Sequence, residues 1–140
     1  MATLSIKAST AFTGEVMDFV QGELEQHGFP ATLQPDILIA VEEIFVNIST
    51  YAYQPAEDGD VRLSVSINGK AVIRFEDSGK PFNPLKSAGP NLDAPVMERE
   101  IGGLGIHFVK NMMDKVKYRY ADKKNIITIT KNIPDPDKVK

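Results

Sequence analysis

Two runs of strict alternation, joined by a two-residue turn, constrain this chain more than any other feature. Val61, Leu63, Val65 and Ile67 alternate with other residues, and so do Ala71, Ile73, Phe75 and Asp77. A period of two places each set on one face of a strand. Asn68-Gly69 between them suits the positive backbone angles of a tight turn, so the two runs fold back as a β-hairpin. An antiparallel sheet with one apolar face follows, and that face has to be covered.

The cover is legible as helices. Phe12, Val16, Phe19 and Val20 recur at helical spacing, and Gly28 is placed to end that helix. Pro35 and Asp36 suit the first turn of a second helix. Its stripe is Ile37, Val41, Ile44, Ile48 and Ala52, and it is expected to stop near Tyr53, ahead of Pro55. Leu4 and Ile6 mark a short first strand. Ile106, Val109 and Met113 mark a third helix, and Val116, Tyr118 and Tyr120 a further strand. A polar turn over Asp122 to Asn125 leads into Ile127 and Ile129, the last strand. This order predicts an α/β (α+β) two-layer sandwich, with a mixed, mostly antiparallel sheet and the helices on one face. One domain is expected over residues 1–133. Pro134 and Pro136 leave 134–140 as a frayed tail. The stretch from Ser78 to Gly105 is rich in Gly, Pro, Asn and Ser, and reads as a functional lid or a disordered loop.

Composition narrows the function. Sixteen Lys and Arg stand against 19 Asp and Glu, a net charge of −3, and no basic stripe is visible along the chain. Direct nucleic-acid binding is therefore not expected. The absence of cysteine excludes disulfides, thiolate metal sites and cysteine nucleophiles. His27 and His107 lie far apart and make no metal-ligand pattern. The N-terminus shows no secretory signal pattern, and no run of about 18 apolar residues could span a bilayer. A cytoplasmic protein without membrane contact is expected.

Three places could carry chemistry. Glu43 and Asn47 are four residues apart on the second helix, within about 40° of each other around its axis, at the edge of the apolar stripe. An amide oxygen there could take one position in an octahedral Mg²⁺ shell, and the carboxylate could accept a proton. A surface Glu and a loop-bonding Asn would give the same pattern. Asp77 falls on the core face of its strand, so it needs a partner. It could accept the amino group of adenine, with Gly79 giving a flat ligand room, or bond to its own turn. Gly102-Gly103-Leu104-Gly105 opens the third helix and could offer bare N–H groups to phosphate oxygens, or serve as a joint.

Taken together, these segments resemble the boxes of the GHKL ATPases. Ala40-Val41-Glu42-Glu43-Ile44-Phe45-Val46-Asn47 is similar to their N-box. Asp77-Ser78-Gly79-Lys80-Pro81-Phe82 is similar to the first glycine box, and Gly102 through Lys110 to the second. Pro-Phe after D-x-G, and Tyr51-Ala52-Tyr53 where His-Ala-Tyr is frequent, resemble the bacterial anti-sigma factor serine kinases of the RsbW type. The resemblance implies that ATP and Mg²⁺ are bound. Asn47 would hold the metal and Glu43 would be the general base. Asp77, Gly79 and Phe82 would lie at the nucleotide, with Arg99, Gly102, Gly103, Leu104, Gly105 and Ile106 beside it. Residues 83–104 would be the ATP lid. The partners implied are a sigma factor and a STAS-type antagonist, with a homodimer as the form. One position departs from the pattern. Ile101 stands where some members carry an arginine that reaches the γ-phosphate, and Arg99 is the nearest replacement. A nucleotide-binding partner-switch regulator without kinase turnover is the alternative.

Overall fold

The computed structural model describes residues 1–53, 59–81 and 108–134. Five strands form one sheet: β1 (Ala2–Lys7), β2 (Asp60–Ile67), β3 (Lys70–Asp77), β4 (Lys115–Ala121) and β5 (Lys124–Asn132). Their order is β1-β2-β3-β5-β4, and every pairing is antiparallel. The expected hairpin is β2–β3, closed by Gly69 at φ 71°. The second hairpin, β4–β5, turns through Asp122 and Lys123 at φ 54° and 63°. The turn is therefore tighter than the expected Asp122–Asn125, and Lys124 and Asn125 belong to β5.

Two helices cover one face of the sheet. The first, α1 (Thr13–Gln26), buries Val16, Val20 and Leu24. It ends as the sequence predicts. Gly28 takes φ 65°, its N–H bonds to the Glu25 carbonyl at 3.1 Å, and the Phe29 N–H reaches back to Leu24 at 2.9 Å. That pair of bonds satisfies the last helical carbonyls and tucks Phe29 into the core. Phe12 lies just outside the helix, in a short 3₁₀ turn over Thr10–Phe12. The second helix, α2 (Gln34–Tyr51), starts with Pro35 in its first turn and Asp36 beside it. It buries Ile37, Ala40, Val41, Ile44, Phe45 and Ile48 against Val61, Leu63, Ile73, Phe75 and Ile129 of the sheet. Residues 108–112 are helical, and Val109 and Met113 enter the same core. Lys131 locks the layers together: its ammonium lies 3.4 Å from Asp36 and donates to the Met112 carbonyl.

The opposite face of the sheet carries no helix among the described residues. A two-layer sandwich results, and the ends of β3 and α2 meet at one corner of it.

Candidate nucleotide site

Asp77 is the last residue of β3, and strand parity turns it inward beside Ile73 and Phe75. It is only 4% exposed. Burial raises its pKa, and hydrogen bonds from Asn125 and from the Gly79 N–H pull the other way. Both bonds, each 2.9 Å, fall on Oδ1. One carboxylate oxygen is thus fixed by the fold. Oδ2 is left as the acceptor for a further donor, since both of these bonds fall on the other oxygen.

Asn125 is the partner that sequence reasoning missed. It is 2% exposed and pairs with Asp77 across the β3–β5 ladder. Its Nδ2 also donates to the Lys80 carbonyl at 2.8 Å, and its Oδ1 accepts from the Tyr118 hydroxyl. The amide thereby holds the carboxylate, the turn after it and β4 in one network. Counting back in twos from Ile129 and Ile127 would have placed Asn125 on the core face. Reading it as part of a polar turn concealed that parity.

The turn after Asp77 packs on the end of α2. Lys80 donates to the Ala52 carbonyl at 3.0 Å, and a Cβ on Gly79 would fall 2.1 Å from that same oxygen. Gly79 is therefore required by the approach of two backbone segments, a reason separate from the expected room for a ligand. Tyr53 completes the corner. Its hydroxyl donates to the Asp60 carbonyl and accepts from the Ser78 N–H, both at 2.8 Å. The Tyr-Ala-Tyr segment thus ties α2, β2 and β3 together.

Asn47 lies five residues before Ala52, about 7.5 Å along the helix axis. It is 6% exposed, and its Nδ2 donates to the Glu43 carbonyl at 2.7 Å. With the amide nitrogen held by the helix, the oxygen is the group presented to a partner. Glu43 stands one turn earlier, half-buried, while Glu42 is exposed. Burial, and then the neighbouring Glu42 charge, raise the Glu43 pKa. So Asp77 and Gly79 sit where the end of β3 meets Ala52 at the end of α2, and Asn47 and Glu43 follow on that same helix at about 7.5 and 13.5 Å back along its axis. Phe82, Arg99, Ile101, Gly102, Gly103, Leu104, Gly105 and Ile106 lie outside the described residues, as does the expected lid over 83–104. A cavity of about 170 Å³ also touches Asp77, but its other walls include Ser5, Asp60, Arg62, Glu76 and Lys124. It opens on the helix-free face, away from Asn47.

The arrangement suits a nucleotide with its metal. Mg²⁺ keeps most of its waters and takes one or two protein oxygens plus phosphates, which a single amide oxygen can satisfy. A buried carboxylate with one free acceptor suits an exocyclic amine. Among the described residues there is no group of three or more His, Cys, Asp or Glu that would hold a metal by itself. Nor is any described helix long and apolar enough to cross a membrane.

Residues 6–131 match the family model described as "Histidine kinase-like ATPase domain". The serine-protein kinase RsbW of Listeria innocua is 29% identical over 132 residues, covering 89% of this chain and 83% of that protein. The serine/threonine-protein kinase BtrW of Bordetella bronchiseptica is 22% identical over 91% of this chain and 89% of its own. Among solved structures, the RsbU and RsbW domains of a Mycobacterium tuberculosis protein superpose with a TM-score of 0.64 at 14% identity. That match covers 97% of this chain and spans 34% of that longer one, and it bears on the fold alone.

Proposed function

Since the chain belongs to the histidine kinase-like ATPase domain family, matched over residues 6–131, we propose that it binds ATP with Mg²⁺ and acts as an anti-sigma factor with protein serine kinase activity. Its substrate would be a STAS-type antagonist, and its other partner a sigma factor held away from RNA polymerase. The relatives named as RsbW and BtrW serine or serine/threonine kinases support this reading. The observation that carries it is the corner where a buried Asp77, one oxygen committed and one left over, meets the helix bearing Asn47 and Glu43.

Each residue then has a physical task. Asp77 Oδ2 accepts from the adenine amino group, while Asn125 and Gly79 keep the carboxylate from rotating. Asn47 offers its amide oxygen to Mg²⁺. When bound, Mg-ATP supplies the phosphoryl group and the charge neutralisation that its transfer requires. Glu43 takes the proton from the attacking serine hydroxyl, and its raised pKa makes it a stronger base than an exposed carboxylate. Phe82, Arg99 and the Gly102–Gly105 turn would complete the phosphate side, with 83–104 as lid.

A second reading has one observation in its favour. Ile101 stands where the family resemblance implies a γ-phosphate arginine in some members, and a missing cation leaves developing charge less compensated. Under that reading the protein is a partner switch whose shape follows bound nucleotide without turnover. Mass spectrometry of STAS-type candidates after incubation with saturating Mg-ATP separates the two. Phosphoserine on the partner supports the kinase; an unmodified but nucleotide-dependent complex supports the switch.

A further inference from the structure

Charge is segregated between the two layers of this fold. Residues 8–61 contain ten Asp and Glu and not one Lys or Arg. Both covering helices lie in that stretch, so the helical layer is acidic. The helix-free face of the sheet is the reverse. Register places Lys115, Lys117 and Arg119 along β4 on that face, with Arg74 on β3 and Arg62 on β2. Three of the chain's four arginines are thus gathered on one side of a protein whose net charge is −3. Two carboxylates stand among them: Glu76, paired with Arg74 at 2.6 Å, and Asp60, opposite Lys7 at the start of β2.

Lysines on an edge strand are a usual guard against sheet-to-sheet pairing. That explains Lys115 and Lys117, because β4 is an edge. It does not explain Arg62 and Arg74, which stand on interior strands. Arginine's planar fork is suited to carboxylates and is enriched at interfaces. The recess beside Asp77 on this same face is lined by Asp60, Glu76 and Asp77 as well as Arg62 and Lys124, so the docking contacts are the cationic side chains around it and not the recess itself.

We propose that the helix-free face of the sheet docks an acidic surface of a protein partner, with Arg62, Arg74, Lys117 and Arg119 as its charged contacts. Same-face neighbours along β4 are about 7 Å apart, a spacing close to that of carboxylates at i and i+2 of a strand or i and i+4 of a helix. Nucleic acid fits less well. None of the strand residues on this face is aromatic, so bases have no platform on which to stack. A second copy fits less well too: an acidic helical layer on a basic sheet face is a head-to-tail contact, which propagates instead of closing. The proposal does not depend on the nucleotide site.

The test uses the full chain, isotopically labelled, titrated with a short poly-L-glutamate at about 150 mM salt, where exposed charges are screened beyond about 8 Å. Amide shifts confined to β2, β3, β4 and β5, and a loss of affinity of roughly tenfold or more in Lys117→Glu/Arg119→Glu, are expected. Arg62→Ala should weaken binding without adding a like charge beside Glu76, and Asp18→Lys on the helical layer should not. Thermal melts confirm that each variant is folded. Shifts mapping elsewhere, unchanged affinity in both basic-face variants, or tighter binding of duplex DNA at the same salt would overturn the proposal. So would concentration-dependent self-association that the double variant abolishes.

Discussion

Asp77→Asn separates folding from recognition at a single position. The two bonds that anchor the side chain both fall on Oδ1, and an asparagine keeps an acceptor oxygen there. Its amide nitrogen replaces Oδ2, the oxygen proposed to accept from adenine. The variant therefore keeps its internal network and presents a donor where the ligand also brings a donor. A hydrogen bond to a charged group contributes about 1.5–3 kcal/mol. Nucleotide affinity should fall by roughly 10- to 150-fold, since each 1.4 kcal/mol is a factor of ten. Stability should move in the other direction. Burial raises the Asp77 pKa above 3.8, so the folded state holds that proton more tightly than the unfolded chain. Wild-type stability is then lost as pH rises from the unfolded value through the folded one. The asparagine variant has no such loss, so its advantage should grow across that window and level off above it. Calorimetric titration with ATP and urea unfolding at several pH values give the two readouts. Unchanged ATP affinity would refute Asp77 as the base-reading acid. A variant that loses stability relative to wild type as pH rises would refute burial as the dominant influence on the Asp77 carboxyl.

Three further substitutions probe the same corner. Glu43→Gln should bind Mg-ATP normally but slow phosphoryl transfer by about 10²–10⁴-fold, measured with labelled γ-phosphate, as expected for loss of a general base. Asn125→Ala removes the donor to the Lys80 carbonyl and to Asp77 Oδ1; a loss of about 1–3 kcal/mol should appear in denaturant unfolding. Gly79→Ala puts a methyl group against the Ala52 carbonyl and should cost about 1–3 kcal/mol even without ligand. A thermal melt of that variant matching wild type would mean that the glycine serves only the nucleotide.

Much of the scaffold was written locally. The β2–β3 hairpin follows from alternation and Asn-Gly, the end of α1 from Gly28, and the core face of α2 from its apolar stripe, because each depends on residues a few positions apart. Glu43 and Asn47 were placed on a shared face for the same reason, a helical period that sequence displays directly. What lay out of reach depended on pairings across the chain. Asp77 needed a partner, but that Asn125 supplies it, 48 positions later, is decided by the β3–β5 register. Gly79 was read as space for a ligand, whereas the carbonyl that forbids a side chain there belongs to the distant end of α2. The basic face shows the same limit most clearly. Along the sequence its charges are diluted by the alternating residues between them, and no stripe is visible; only hydrogen-bonded strands side by side turn that alternation into a predominantly basic surface.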